Sequence, residues 1–405
     1  GGDQNRGQLH RRGAAGDPPR RRRQPALPPH GPGGDRLPAA GRAPGLARRR
    51  GAVRAADDAA LLEGVAAAFV DSIADELGED GSLPDVVPFQ RQGARPADPT
   101  WSAAFVELLR VLHQDGHPQP VRKHWAVLKA HLAHLRRTVE ARGGIASSPE
   151  RYGDWCSPPR QQGTPCRWAE GCRGTAGERP SPGFVAAFSL VRAFRAAAAL
   201  GEALGGDAAR DAEEYRRQAR EWGEQFQAAF YHPATATYDT GTMASHVLPL
   251  ALELAPPGDA RTAVVGNLLH RIQDSNYSWT GGIVTNRFLF DVLHDSGHAD
   301  VALRMLQRRS YPSYGYMFFN SLEPASECMW EVPDAPFQGM EMNSRNHHAY
   351  SSVGGYLIER VAGLQVHRGG EIVAVAGAFE GGANATVNLA RGTAAFSWSA
   401  PAGAG

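Results

Sequence analysis

Between Asp57 and about Leu364 the chain repeats one pattern: amphipathic segments in which apolar residues recur at steps of three and four, opened by Asp or Ser and closed by Gly. The clearest are "DDAALLEGVAAAFVDSIADEL" (57–77), "TWSAAFVELLRVLHQDG" (100–116), "VRKHWAVLKAHLAHLRRTVEARGG" (121–144), "FVAAFSLVRAFRAAAALGEALGG" (184–206) and "DAARDAEEYRRQAREWGEQFQAAFY" (207–231). Five shorter ones follow: "TMASHVLPLALEL", "DARTAVVGNLLHRIQDS", "GIVTNRFLFDVLHDSG", "ADVALRMLQRR" and "HAYSSVGGYLIERVAGL". A period of 3.6 over so many segments excludes a sheet protein and predicts an all-α domain. Short turns alternate with longer aromatic-rich loops, which suits a barrel of helical hairpins better than a four-helix bundle. A superhelical array of helix pairs is the competing architecture, but no fixed-period signature repeats.

Two other textures flank this region. Residues 1–54 are a basic Arg, Pro, Gly and Ala stretch with hardly a large apolar side chain, and by composition they read as a disordered arm. Residues 365–405, exemplified by "EIVAVAGAFEGGANATVNLARGTAAFSWSA", alternate apolar and small polar residues as in a short β-meander, the start of a β-sandwich. The helical domain is therefore expected at 55–364.

Composition narrows the function classes. With 42% hydrophobic residues in 405, the chain can build a substantial core. A formal net charge of +1 gives no general attraction to nucleic acid or an anionic membrane. The alanine-rich stretch from Phe184 carries Arg and Glu at intervals, so no membrane span is expected, and no signal peptide is visible. The compartment stays open, as does the oligomeric state. Cys156, Cys166, Cys172 and Cys328 are too few for a disulfide scaffold and match no common zinc spacing, so they read as loop thiols.

The candidate chemistry lies in the loops between helices. Trp101, Trp155, Trp279 and Trp330 fall at loop or helix-entry positions, and Asp98, Asp154 and Glu331 lie beside three of them. Indole faces next to carboxylates suit a sugar ring, whose C–H face stacks on an aromatic plane and whose hydroxyls need charged partners. Each Trp taken singly reads as plain packing; the repeated pairing carries the inference. "CMWEVPDAPFQGMEMNSRNHHAY" (328–350) concentrates Trp330, Glu331, Asn346, His347 and His348. Glu331 suits either carboxylate role of glycoside hydrolysis, acid or base. The His doublet has no third ligand at metal spacing, so no metal and no cofactor are expected, and hydrogen bonding to a sugar is the better reading.

Six pieces in order, "DGSLPDVVP", "DPTWSAA", "YGDW", "SGHADVALRMLQRRSYPSYGYM", "MWE" and "MNSRNHHAYSSVGGYL", carry a family resemblance. Over Asp57 to about Leu364 the chain resembles the six-hairpin (α/α)6-barrel domain of bacterial and fungal α-L-rhamnosidases, which are inverting glycoside hydrolases. The resemblance implies a rhamnosylated glycoside as substrate. It makes Glu331 the base that activates water, His347 a rhamnose-binding histidine, and Trp101, Asp154 and Trp155 parts of the sugar pocket, with Trp330, Asn346 and Asp98 beside them. The sequence departs from the family at "SLEPASECMWE", where Glu323 and Glu327 are extra carboxylates.

The family's general-acid motif, roughly "TDCPQRDERLGWxGDA", does not occur before the first helix. "DRLPAAGRAPGLARRR" (35–50), written in permissible GC-rich codons and read from the second base of the Asp35 codon, can read T-D-C-P-Q-R-D-E-R-L-G-W-L-G-D-A; codon choice leaves only the middle base of each shifted codon free. The residues before about Val53 are therefore expected to come from a shifted reading frame, with the acid Glu encoded across Arg42 and Ala43. A non-catalytic carbohydrate-binding remnant is the alternative; another helical-barrel enzyme, a trehalase-like hydrolase or a polysaccharide lyase, is a more distant one.

Overall fold

Short connections and long ones alternate along the chain, and that alternation builds the architecture. The structure, a computed structural model, describes residues 64–90, 93–164, 178–319, 328–338, 344–367, 371–375, 382–389 and 392–399. They belong to one compact unit that runs from Arg48 to Gly405. The expectations for residues 1–54, for Cys166 and Cys172, and for Glu323 and Glu327 fall outside the described residues.

Helix α1 (64–75) is followed by α2 (Pro99–Gln114), α3 (Gln119–Ala141), α4 (Phe184–Leu204), α5 (Asp207–Phe230), α6 (Met243–Ala251), α7 (Asp259–Asp274), α8 (Ile283–Asp295), α9 (Ala299–Gln307), α10 (Tyr314–Phe319) and α11 (Val353–Tyr356). A π-helical turn, Leu357–Val361, prolongs α11. Each even helix from α2 to α8 packs on the odd helix that follows it, through a connection of two to seven residues such as 115–118 or 205–206. Connections this short make antiparallel hairpins. The even helices α2 to α8 also pack on one another in order, and α8 packs on α11, so α2, α4, α6, α8 and α11 form an inner ring while α3, α5, α7 and α9 form the outer one.

Burial follows this division. Inner helix α4 hides 15 of its 21 residues, on all sides, whereas outer helix α5 buries a stripe through Ala208, Ala212, Tyr215, Ala219, Trp222, Phe226 and Phe230. Helix α4 is long and apolar enough to cross a membrane by length and composition, more so than its interspersed Arg and Glu suggested, but 83% of that window is buried in the helical core. Cys156 is a loop thiol as expected, and it is fully buried. Tyr314–Phe319 forms the short helix α10, and Tyr231–His232 pairs with Thr237–Tyr238 in a β1–β2 hairpin that the sequence pattern did not signal. At the C-terminal end β3 (Leu364–His367) pairs antiparallel with β4 (Glu371–Ala374), and β5 (Gly382–Leu389) with β6 (Gly392–Ser399).

Buried carboxylates from a few loops cap the inner helices. Asp98 precedes Pro99 and accepts from the Thr100 amide at 2.8 Å, closing the N-terminus of α2. Glu150 accepts from the Val185 and Ala186 amides at 2.9 and 3.0 Å at the start of α4, which has no capping side chain of its own. Asp154 reaches across the fold to α8. Its Oδ2 accepts from the Gly282 amide (2.6 Å) and the Thr285 hydroxyl (2.7 Å), and its Oδ1 from the Val284 (3.1 Å) and Thr285 (3.0 Å) amides. Only glycine fits at 282, since a Cβ there would lie 2.2 Å from the Trp155 carbonyl and 2.4 Å from that of Asp154.

The outer side has its own polar anchors. His131 on α3 is buried and holds the loop after α1 through Nδ1 and the Gly81 carbonyl, 3.1 Å apart, while its Nε2 has no partner among the described residues. Burial pushes its pKa down to about 4. His246 on α6 is depressed to about 4 by the same cause.

Two outcomes follow. Because the native state holds His131 neutral while the unfolded chain titrates near 6.5, stability falls as pH drops from about 6.5 to about 4 and is level outside that window. The loss per histidine is about 3 kcal/mol. His131→Asn keeps the contact to Gly81 and removes the titration, so denaturant midpoints measured across this range should lose about one proton of slope. Asp154→Ala strands three amides and a hydroxyl in the core and should cost about 2 to 4 kcal/mol of unfolding free energy, read from urea titration.

Candidate functional site

Because the hairpins are antiparallel, every loop that leads into an inner helix emerges at the same end of the ring. The described parts of those loops are 93–98 before α2, 142–164 and 178–183 before α4, 231–242 before α6, 275–282 before α8, and 308–313, 328–338 and 344–352 before α11. All the residues predicted for the site belong to them or to the first turn of an inner helix.

The segment that carries Glu331 is held as a strand-like pair with the segment that carries His347. The Glu331 amide donates to the Ser344 carbonyl at 3.0 Å, and the His347 amide to the Met329 carbonyl at 2.8 Å. The two candidate side chains are thus set in register by backbone hydrogen bonds. Trp330 between them is fully buried, with its ring edge-on to Tyr316 at 6.3 Å. Glu331 itself is half-buried, and among the described residues its carboxylate takes no hydrogen bond or ion pair. Burial alone raises its pKa above the ordinary glutamate value of 4.5. A half-buried carboxylate with free lone pairs is suited to accept a proton from water.

His347 accepts from the Ala349 amide through Nδ1 at 3.0 Å, so in the neutral ring the proton sits on Nε2, which is left as a donor. Burial and the neighbouring His348 ring, stacked at 4.9 Å, hold its pKa below the usual histidine value and keep it neutral. His348 and Asn346 are exposed.

Trp101, Tyr152 and Trp155 form one aromatic group, with centroids 4.4 Å apart for Trp101 and Tyr152, 5.3 Å for Tyr152 and Trp155, and 6.1 Å for Trp101 and Trp155. Trp101 is partly exposed, whereas Trp155, Trp279 and Trp330 are buried. Of the four indoles expected as sugar platforms, Trp101 alone presents more than an edge. Asp98 and Asp154 need a similar correction. Asp98 is spent on Thr100 and, through Oδ2, on the Arg151 (2.6 Å) and Tyr152 (3.1 Å) amides; all of Asp154's acceptor positions are spent on α8. Their carboxylates position the "RYGDW" loop and do not offer free oxygens to a sugar.

The structure adds residues the sequence reading passed over. Tyr152 belongs to the aromatic group and donates its hydroxyl to Asp85. Glu150 lies at the root of the same loop with its pKa lifted by burial to about 7. Tyr350, fully buried, donates to the Cys156 carbonyl and so ties the His347 segment to the loop after Trp155. The Cys156 thiol is pushed up by burial and then by the negative charges of Glu331 and Asp154, with Arg179 opposing them, which puts Glu331 in electrostatic range of that loop. An aromatic residue next to Gly-Asp-Trp was the one available signal for Tyr152; Tyr350 and Cys156 carried none. Among the described residues no three His, Cys, Asp or Glu side chains converge as a metal site.

Comparison with known proteins bears on this arrangement. The model of the bacterial α-L-rhamnosidase six-hairpin glycosidase domain matches residues 52–361. An α-L-rhamnosidase of Streptomyces avermitilis is 29% identical over 303 residues, covering 73% of this chain and 26% of that protein. One from Formosa agariphila is 24% identical over 342 residues, covering 82% and 35%. Among solved structures, an α-L-rhamnosidase from Dictyoglumus thermophilum superposes with a TM-score of 0.71 at 26% identity, over 84% of this chain and 36% of that one. The Streptomyces avermitilis enzyme complexed with L-rhamnose gives 0.65 at 24% identity, over 82% and 30%. The chain spans roughly a quarter to a third of the curated relatives it matches. The paired helical rings, the loops gathered at one end and the match over residues 52–361 together make this chain a member of the bacterial α-L-rhamnosidase six-hairpin glycosidase family.

Proposed function

We propose that this chain provides the catalytic helical domain of a glycoside hydrolase that releases terminal α-L-rhamnosyl groups with inversion. The observation that carries the reading is the pairing of Glu331 and His347 across the 329–331 and 344–347 segments. A carboxylate with unspent oxygens and raised proton affinity stands there beside a neutral imidazole that has a free Nε2 donor. Glu331 deprotonates a water, which attacks the anomeric carbon opposite the leaving oxygen. His347 donates to a sugar hydroxyl, and the Trp101–Tyr152 face takes the C–H side of the ring. A structural relative crystallised with L-rhamnose supports rhamnose as the sugar.

Hydrolysis also needs a proton donor for the leaving oxygen. We place that acid in the shifted frame of residues 35–50, where the reading T-D-C-P-Q-R-D-E encodes it. Two observations support this: the composition changes there from Arg, Pro and Gly to helical periodicity, and the family match begins at residue 52.

Glu331→Gln should abolish hydrolysis of an aryl α-L-rhamnoside, while the wild-type reaction followed by NMR should show β-L-rhamnose as the first product. Turnover that survives Glu331→Gln removes the base assignment. Because the base acts deprotonated and burial raises its pKa, kcat should fall as pH drops through a value above 4.5. For the acid, sequencing the gene and transcript across codons 30–56 comes first. An expression clone with the frame restored by one base should then turn over about 10²- to 10⁴-fold faster than one encoding the sequence as read, the usual contribution of general-acid protonation.

A further inference from the structure

Glu331 sits on a loop, and a loop alone does not hold a catalytic carboxylate to the fraction of an ångström that the chemistry needs. Its N-terminal side is held by the pairing with 344–347. Its C-terminal side turns through Val332 and Pro333 into a short 3-10 helix, Ala335–Phe337, and the residue at that corner is Asp334.

Asp334 is fully buried. Its Oδ2 accepts from the Gly163 amide at 3.1 Å and from Gln338 Nε2 at 2.9 Å, and the same Gln338 amide reaches the Thr164 carbonyl at 3.1 Å. The carboxylate thus fastens the turn after Glu331 to a segment 171 residues away in sequence. That segment is held from its other side as well: Tyr311 donates to the Pro159 carbonyl at 3.0 Å, and Gln162 donates to the Tyr316 hydroxyl. Tyr316 in turn meets the edge of Trp330, directly before Glu331. The 328–338 loop, the 159–164 segment and the Tyr311–Tyr316 segment therefore close a ring of contacts in which Asp334 is the clasp.

Such a buried acid is unusual as a plain loop anchor, because its Oδ1 has no partner among the described residues. An ionised carboxylate with one bare oxygen in the interior costs more than the neutral acid, which keeps both donors on Oδ2 and leaves only the Oδ1 hydroxyl unpaired. Burial shifts its proton affinity in that direction.

We propose that Asp334 is a positioning residue for catalysis, acting as a neutral clasp that locks the Glu331 turn onto the 159–164 segment. This rests on the reading of Glu331 as the base. Asparagine reproduces the proposed state: its carbonyl oxygen accepts from Gly163 and Gln338, and its NH₂ takes the place of the protonated Oδ1.

The test uses the full chain with Asp334→Ala, Asp334→Asn and Gln338→Ala, read by kcat and KM on an aryl α-L-rhamnoside and by hydrogen–deuterium exchange of peptides spanning 328–338. Asp334→Ala should lower kcat by about 10- to 100-fold with KM within about 3-fold, the scale of a small misplacement of a reacting group. Exchange in 328–338 should quicken by about 10-fold or more while α4 and α5 stay protected. Asp334→Asn should keep kcat within about 3-fold of the parent and keep the protection. Should Asp334→Ala fail to accumulate, Gln338→Ala, which removes one donor and the Thr164 contact, should still quicken exchange in 328–338. Unchanged exchange in the Ala variants, or equal loss of kcat in Asp334→Ala and Asp334→Asn, overturns the proposal. A Glu331→Gln variant that remains active instead defeats the functional reading, and the exchange measurement still decides whether Asp334 is the clasp.

Discussion

The carboxylate of Asp154 joins two parts of the chain that are about 130 residues apart, and the site depends on that junction. A helix N-terminus leaves its first amides unpaired and carries partial positive charge, so a buried carboxylate that takes several of them is compensated twice, by hydrogen bonds and by the helix dipole. Asp154 gives four acceptor contacts to α8. In the same stroke it fixes Tyr152, Trp155 and Cys156, which form one side of the site and which Tyr350 then ties to the His347 segment. Glu150 and Asp98, capping α4 and α2, hold the other end of the same loop. The stretch Glu150–Cys156 thereby ties together three inner helices, α2, α4 and α8.

Hydrogen-bond supply sorts the acidic residues at this end of the ring. Asp98 takes three backbone donors and Asp154 takes four donors, three of them backbone amides. Glu331 is half-buried without a donor among the described residues, so desolvation acts on it unopposed. Environment separates carboxylates of identical chemistry into caps and the proposed base, the same principle that separates acid from base in hydrolases. His347 follows the same logic: the amide of Ala349 chooses its tautomer, and burial keeps it uncharged.

The antiparallel hairpin accounts for where the chemistry is found. Short connections on one end leave nothing to build with, and the long loops that enter the inner helices supply every candidate residue. Cross-loop contacts make those loops a rigid surface: Glu331 to Ser344, Asp334 to Gly163, Tyr311 to Pro159 and Tyr350 to Cys156. Function is carried on irregular backbone, but the backbone is fixed by buried polar groups rather than by helix packing.

The helices were legible from the chain because their signals are local. The 3.6 period, Asp98 before Pro99 and the glycines that end segments place α2 to α9 within a few residues of their observed bounds. The alternation of short and long connections was legible too, and with it the gathering of the loops at one end. Glu331 and His347 could be singled out by residue type, since few polar groups stand in so dense a cluster. The duties of Asp98, Asp154 and Trp330 could not be. A carboxylate beside a tryptophan reads the same whether its oxygens face a sugar or three amides and a hydroxyl of a helix more than a hundred residues away, because burial and donor supply are properties of the folded neighbourhood. Only the tertiary structure decided which carboxylates were consumed as caps and which one was left with its lone pairs free.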